Sequence, residues 1–155
     1  MNKLHDEFGA CMIGENSAFR FLCGENMDEI SRFFESKTVK AGEVLWKEGD
    51  PSDYMAIISS GKLEIKKQTE IEDKHVIVGI YSSGAVVGAL GILDGRPRAV
   101  TVLAPEDVSL IIVTRENFHK LTKAKPELGV KLLEGILLSV SMRLRYSYER
   151  LAKFF

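Results

Sequence analysis

The stretch Gly88-Ala-Leu-Gly-Ile-Leu-Asp-Gly-Arg-Pro-Arg-Ala-Val-Thr-Val102 decides how the rest of the chain is read. Its first six residues have the spacing of one short helical turn opening on a glycine. Its last four alternate as a strand does. Between them, at the mouth of the strand, stands Arg98. A guanidinium there is costly unless something negative meets it. The first N–H groups of a helical turn are unpaired and carry partial positive charge. Together with Arg98 they make a site for a phosphate or carboxylate. An ion pair with a neighbouring acidic loop is the other reading, and these residues alone leave the two open.

Outward from that stretch, the texture from Lys37 to Val113 is that of a β protein. Short runs rich in Val, Ile and Tyr alternate with turn residues such as Ala41-Gly42, Gly49-Asp50-Pro51, Ser60-Gly61, Ser83-Gly84 and Asp94-Gly95. Turn signals at this spacing predict a sandwich or barrel. Tyr54–Ser60, Lys62–Lys66 and His75–Tyr81 are the clearest strands, and Leu63 and Ile65 alternate with charged neighbours as in a half-buried strand. Glu70–Lys74 is a solvated hairpin tip. Asn26 and Glu29 have a weak capping-box spacing. Ile30, Phe33 and Phe34 follow at helical intervals, which predicts a short helix over about 27–36. Residues 1–20 show no period and are expected to form an arm, with one folded domain over 21–155. After Val113 the period turns helical. Thr114 is a plausible N-cap for Arg115–Thr122, and Pro126 suits a helix start. No proline follows it, so about 30 residues can form one helix about 45 Å long. The expected fold is mainly β with flanking helices: a barrel over about 37–113 and C-terminal helices over about 114–154.

Composition narrows the function. The chain is 45% hydrophobic and 28% charged, with a net charge of −1, so no global field draws it to nucleic acid. Cys11 and Cys23 form no metal-binding spacing. His5, His75 and His119 do not pair with one another or with carboxylates at ligand spacing, so no metal site is expected. No P-loop, nucleophile elbow or H-E-x-x-H is present. An enzyme is therefore not expected, and no catalytic residue is assigned. No apolar run reaches the ~18 residues of a membrane span. The N-terminus lacks a secretory h-region, so a cytoplasmic protein is expected.

The residues Val87-Gly88-Ala89-Leu90-Gly91-Ile92, a four-residue spacer, then Pro97-Arg98-Ala99-Val100-Thr101-Val102 resemble the phosphate-binding cassette of the cyclic nucleotide-binding domain family. Upstream, Lys40–Leu45, Glu48-Gly49-Asp50 and Tyr54–Gly61 are similar to the family's first strands. The resemblance runs over about residues 20–150. It implies a jelly-roll β-barrel followed by a hinge helix and a long C-terminal helix. It implies that Arg98 pairs with the cyclic phosphate of cAMP or cGMP, and that N–H groups around Gly88, Ala89, Leu90, Ala99 and Val100 cradle it. It further implies that Ser147 and Tyr148, on the long helix, close over the base. No cofactor is implied; the ligand is the nucleotide itself.

One departure bears on the ligand. Ala89 stands where the family has the glutamate that holds the ribose 2′-hydroxyl. Losing a hydrogen bond to a charged group costs roughly 1.5–3 kcal/mol, on the order of 10- to 150-fold in affinity. Three readings stay open: a weakened cyclic nucleotide site, a site for another anionic ligand, or an unused site on a fold that then acts as a dimeric protein-interaction module.

Leu133, Leu137, Val140, Leu144, Ser147, Leu151 and Phe154 are spaced alternately by four and three. That is a heptad seam with one polar member, and it predicts a homodimer through the long helix. Leu132, Ile136 and Leu138 form a second stripe that can face the barrel. Gly129 and Gly135 read as close-packing positions, or as a softened segment where the helix pivots. Arg143, Arg145, Arg150 and Lys153 make the helix end basic, which a solvated face also explains. In related bacterial transcription regulators a helix-turn-helix follows this helix. The sequence ends at Phe155, so no nucleic-acid contact by this chain alone is expected.

Overall fold

The computed structural model describes residues 27–155 and, ahead of them, Asp6. The N-terminal arm, both cysteines, His5 and Asn26 lie outside the described residues. Among the rest, a short helix α1 (Met27–Ile30) and a 3-10 turn (Ser31–Phe33) lead into eight strands. These are β1 (Glu35–Val39), β2 (Val44–Trp46), β3 (Tyr54–Ser60), β4 (Leu63–Gln68), β5 (His75–Tyr81), β6 (Val86–Val87), β7 (Thr101–Leu103) and β8 (Val108–Thr114). Helix α2 (Ala89–Asp94) falls between β6 and β7, and α3 (Arg115–Ala124) and α4 (Pro126–Ala152) follow β8. The strands make two antiparallel four-stranded sheets, ordered β1-β8-β3-β6 and β2-β7-β4-β5. This is the jelly-roll arrangement with flanking helices that the sequence predicts.

The burial pattern follows from strand geometry. Successive side chains point to opposite faces. Strand β3 is buried on both, so Met55, Ala56, Ile57 and Ile58 are all inaccessible. Ala56 and Ile58 join the layer between the sheets with Trp46, Leu63, Ile65 and Val102. Met55 and Ile57 turn the other way, onto a layer with Ile30, Phe118, Leu121, Leu132 and Ile136 from the helices. Strand β8 divides its residues likewise, Leu110 and Ile112 inward, Ile111 and Val113 toward the helices.

The helix expected over 27–36 is shorter. Phe34 is already extended, with φ −123° and ψ 147°. From Glu35 the chain pairs with β8, Glu35 opposite Ile112. Ladder hydrogen bonds along β8 override the weak local period there. Ile30, Phe33 and Phe34 are nevertheless all buried, so the period marked the core residues correctly and the helical turn as far as Phe33, and overran only its end. The barrel accordingly starts at Glu35, and β4 runs on to Gln68. Between β4 and β5 the charged tip closes with Thr69 N–H donating to the Lys74 carbonyl at 2.8 Å.

The C-terminal caps are as read. The Thr114 hydroxyl accepts from the Asn117 N–H at 3.0 Å, and Pro126 occupies the first turn of α4. Gly129 serves close packing: a Cβ there would lie 2.8 Å from the Thr122 Cγ2 of α3. Leu128, Leu132, Ile136 and Ser139 form the buried face of α4. Leu138 does not join them and is 51% exposed. It stands two residues from Ile136, about 200° round the helix. Val140, one of the seam positions, packs on the domain's own core. The remaining apolar seam residues, Leu133, Leu137, Leu144, Leu151 and Phe154, are exposed, and Phe154 lies beyond the end of α4. No helix among the described residues is long and apolar enough to cross a membrane.

Candidate ligand site

Helix α2 is set by contacts that require glycine twice. Gly88 caps its N-terminus at φ +75°, a conformation open to glycine and strained for other residues. A Cβ at Gly88 would also lie 2.8 Å from Trp46 Cη2. Gly91, inside the helix, presses on Ser52: a Cβ there would meet the Ser52 Cβ at 2.4 Å. Arg115 fixes the same junction, its guanidinium donating to the Ser52 carbonyl at 2.9 Å and to the Gly91 carbonyl.

Arg98 is held by its backbone. Its N–H donates to the Asp50 carbonyl, and its own carbonyl accepts from the Gly49 N–H, both at 2.8 Å. On the next residue, the Ala99 carbonyl accepts from Lys67 Nζ at 2.9 Å. Lys67 also pairs with Glu48. That hydrogen bond, helped by the Gln68 N–H, holds the Glu48 carboxyl below the usual carboxylate range. The turn carrying Arg98 is thus tied to β4 and to the loop after β2.

The side chain of Arg98 is only 4% exposed. It lies over Trp46, 3.6 Å from the guanidinium carbon to the ring centroid, with Tyr54 at 4.7 Å. The two rings pack edge to face at 5.5 Å, and Trp46 Nε1 donates to the Val100 carbonyl at 3.1 Å. The aromatic platform therefore fixes the guanidinium by cation–π contact. Its polar contacts are nearly empty. Nη1 makes one long bond, 3.5 Å, to the Gly88 carbonyl, and Nε and Nη2 are buried without a hydrogen-bond partner among the described residues. Among the described residues no carboxylate reaches ion-pair distance of Arg98. Burial lowers its pKa, opposed by Tyr54, Asp53 and Asp50. An arginine still stays charged. Burial also raises the Tyr54 pKa, so that phenol is neutral at pH 7. Among the described residues the acidic-loop reading of Arg98 therefore finds no ion-pair partner. A buried cation with two idle donors is instead suited to an incoming anion.

A cavity of 470 Å³ opens beside it, lined among others by Trp46, Gly88, Ala89, Arg98, Val100 and Arg143. That volume lies in the usual range for small-molecule sites.

The model of a family described as the cyclic nucleotide-binding domain matches residues 36–125. The chain belongs to that family. The cAMP-dependent protein kinase regulatory subunit of Blastocladiella emersonii is 30% identical over 142 residues, 89% of this chain and 34% of that protein. A cyclic nucleotide-gated potassium channel of Mesorhizobium japonicum is 30% identical over 101 residues, 65% of this chain and 26% of the channel. The chain thus spans about a quarter to a third of these curated relatives. A solved cyclic nucleotide-binding domain from Methylobacillus flagellatus shares the fold, with a TM-score of 0.79, 24% identity and coverage of 99% of this chain and 85% of that one.

Within the cyclic nucleotide-binding domain, the sequence-selected residues fall into two groups. Gly88, Ala89, Leu90, Arg98, Ala99 and Val100 all line the one cavity. Ser147 does not; it lines a neighbouring cavity between α4 and β5. Tyr148 lines neither and is 61% exposed. Sequence reasoning missed Trp46 and Tyr54, the platform under Arg98. Trp46 is the sole tryptophan of the chain and follows directly on a quoted family segment, which was the available signal. It also missed Arg143, read only as part of a basic helix end. Arg143 donates to the Val86 carbonyl and stacks 4.0 Å from the Tyr81 ring centroid.

Proposed function

We propose that this chain is a regulatory, non-catalytic sensor that acts in the cytoplasm and binds cAMP, cGMP or a related anionic nucleotide in the cavity beside Arg98. The observation that carries this reading is the buried Arg98 guanidinium with Nε and Nη2 unpartnered. The family membership supports a cyclic phosphate as the anion. Leu90 and Ala99 would supply backbone N–H groups, and the folded unit would extend over residues 21–155. Ligand would act on α4, because Val140 and Arg143 of that helix line the same cavity. A ligand shifts the helix only by its differential affinity for the two positions. Calorimetry against cAMP and cGMP tests the reading. Saturable binding to one of them is expected, and none up to millimolar ligand would refute it.

Ala89 tunes the preference. Its side chain is 4% exposed and lines the cavity, with no acceptor for a sugar hydroxyl. Ala89→Glu is expected to tighten cAMP or cGMP by about 1–2 kcal/mol, roughly five- to thirty-fold. Unchanged affinity in a folded variant would mean that no ribose hydroxyl reaches this position.

The exposed leucines of α4 favour a second element, a homodimer through that helix. Leu137, Leu144 and Leu151 are 67%, 50% and 58% exposed on successive heptad positions. Pairing two helices would take this stripe out of water. Leu144→Asp should then sediment as a folded monomer where the wild type sediments as a dimer. A wild-type monomer at tens of micromolar (about the range where weak homodimers of ~8 kcal/mol still form) would rule the pairing out.

A further inference from the structure

Helix α4 and the edge strand β5 enclose a second cavity of 270 Å³. It meets the first at Val78, Tyr81 and Arg143, which line both. It is lined by Arg143 and Arg150, by hydroxyl residues such as Tyr81, Ser139 and Ser147, and among the described residues by no carboxylate. Both arginines come from α4 and reach backbone carbonyls of the barrel. Arg143 donates to Val86 and Arg150 to Val78, the latter at 3.0 Å. Among the described residues neither makes an ion pair. A carbonyl occupies one of a guanidinium's five N–H donors and carries no full charge to balance it. Burial lowers the Arg143 pKa, opposed by Tyr81.

The first cavity has no anion to offer either. Among the described residues its one carboxylate is Asp94. That group already accepts from the Arg96 N–H at 2.9 Å and lies 3.9 Å from the Arg96 guanidinium. The joined cavities therefore hold Arg98 in the first, Arg150 in the second and Arg143 where they meet, and among the described residues no unpaired carboxylate lines either. One phosphate balances only the first.

We propose that the ligand is a nucleotide carrying two phosphate groups, one met by Arg98 and the second seated between α4 and β5 at Arg143 and Arg150. This rests on the reading of the Arg98 cavity as the ligand site. The second phosphate touches the long helix directly. Such a ligand binds the docked helix better than a displaced one, which gives it the differential affinity that a switch requires.

The test is calorimetry of the full chain with cAMP, cyclic di-AMP and cyclic di-GMP, in wild type and in Arg150→Gln. Arg150 is exposed, so its loss leaves the fold intact. One of the cyclic dinucleotides is expected to bind at least tenfold more tightly than cAMP, from the added charge-assisted contacts. Arg150→Gln should shrink that preference by about tenfold. Arg143→Gln should shrink it further. Binding of cAMP with neither dinucleotide tighter overturns the second subsite and leaves the first standing. A preference unmoved by both substitutions also overturns it. No binding of any of the three overturns both readings together.

Discussion

Arg98→Met is expected to raise the melting temperature of the ligand-free protein while removing nucleotide binding. Methionine keeps an unbranched stem against Trp46 and Tyr54 and carries no charge. The wild-type guanidinium is buried, with Nε and Nη2 unpartnered. Leaving buried donors unsatisfied costs about 1–3 kcal/mol, and relief of that cost shifts a domain of this size by about 2–4 °C per kcal/mol. The expected rise is therefore about 2–12 °C, offset in part by the lost cation–π contact. Scanning calorimetry without ligand reads it. A fall of several degrees would instead show that the arginine holds the fold together. The same variant should bind cAMP at least a hundredfold more weakly, since one charged, bidentate partner is lost.

Gly91→Ala should destabilise the protein although it sits inside a helix. Helix propensity alone favours alanine over glycine by about 1 kcal/mol. The geometry predicts the opposite sign. An added Cβ would meet the Ser52 side chain well inside van der Waals contact, and Ser52 is itself buried. Helix α2 would have to lift from the loop before β3, breaking the Arg115 contacts to both sides of that junction. Overpacking of this kind costs about 1–3 kcal/mol, occasionally more. Chemical denaturation checks it, and an equal or raised midpoint would contradict the close approach. Because α2 opens the ligand cavity, binding should weaken in the same variant.

What the sequence made legible was local. The caps at Thr114 and Pro126, the alternation of Leu63 and Ile65, and the α2 turn each rest on neighbours within a few residues, where period and capping chemistry act. The six cassette residues were grouped by the family resemblance, whose motif lies within one stretch. The misreadings were of long-range origin. Phe34 and Glu35 leave the helical period because β8, some 75 residues away by the Glu35–Ile112 pairing, offers a sheet edge. Leu138 and Val140 exchange their expected roles because the face of α4 that meets the core is chosen by the barrel's position. The heptad count does not contain that position. Trp46 and Tyr54 come under Arg98 only through the packing of β2 and β3, so no spacing in the chain announces the platform. Arg143 looked like a solvated base because its partners, Val86 and Tyr81, lie on other elements.

The idle donors of Arg98 are expected to take up an anion. This uptake is tested most directly by following the Arg98 Nε–H resonance in a proton–nitrogen spectrum, assigned by its loss in Arg98→Met, as cAMP or a cyclic dinucleotide is added. A slowly exchanging signal is expected in the free protein, moving downfield and saturating with ligand as a buried donor gains a charged acceptor. A resonance that stays in place while ligand binds elsewhere, or that never responds up to millimolar nucleotide, would contradict it.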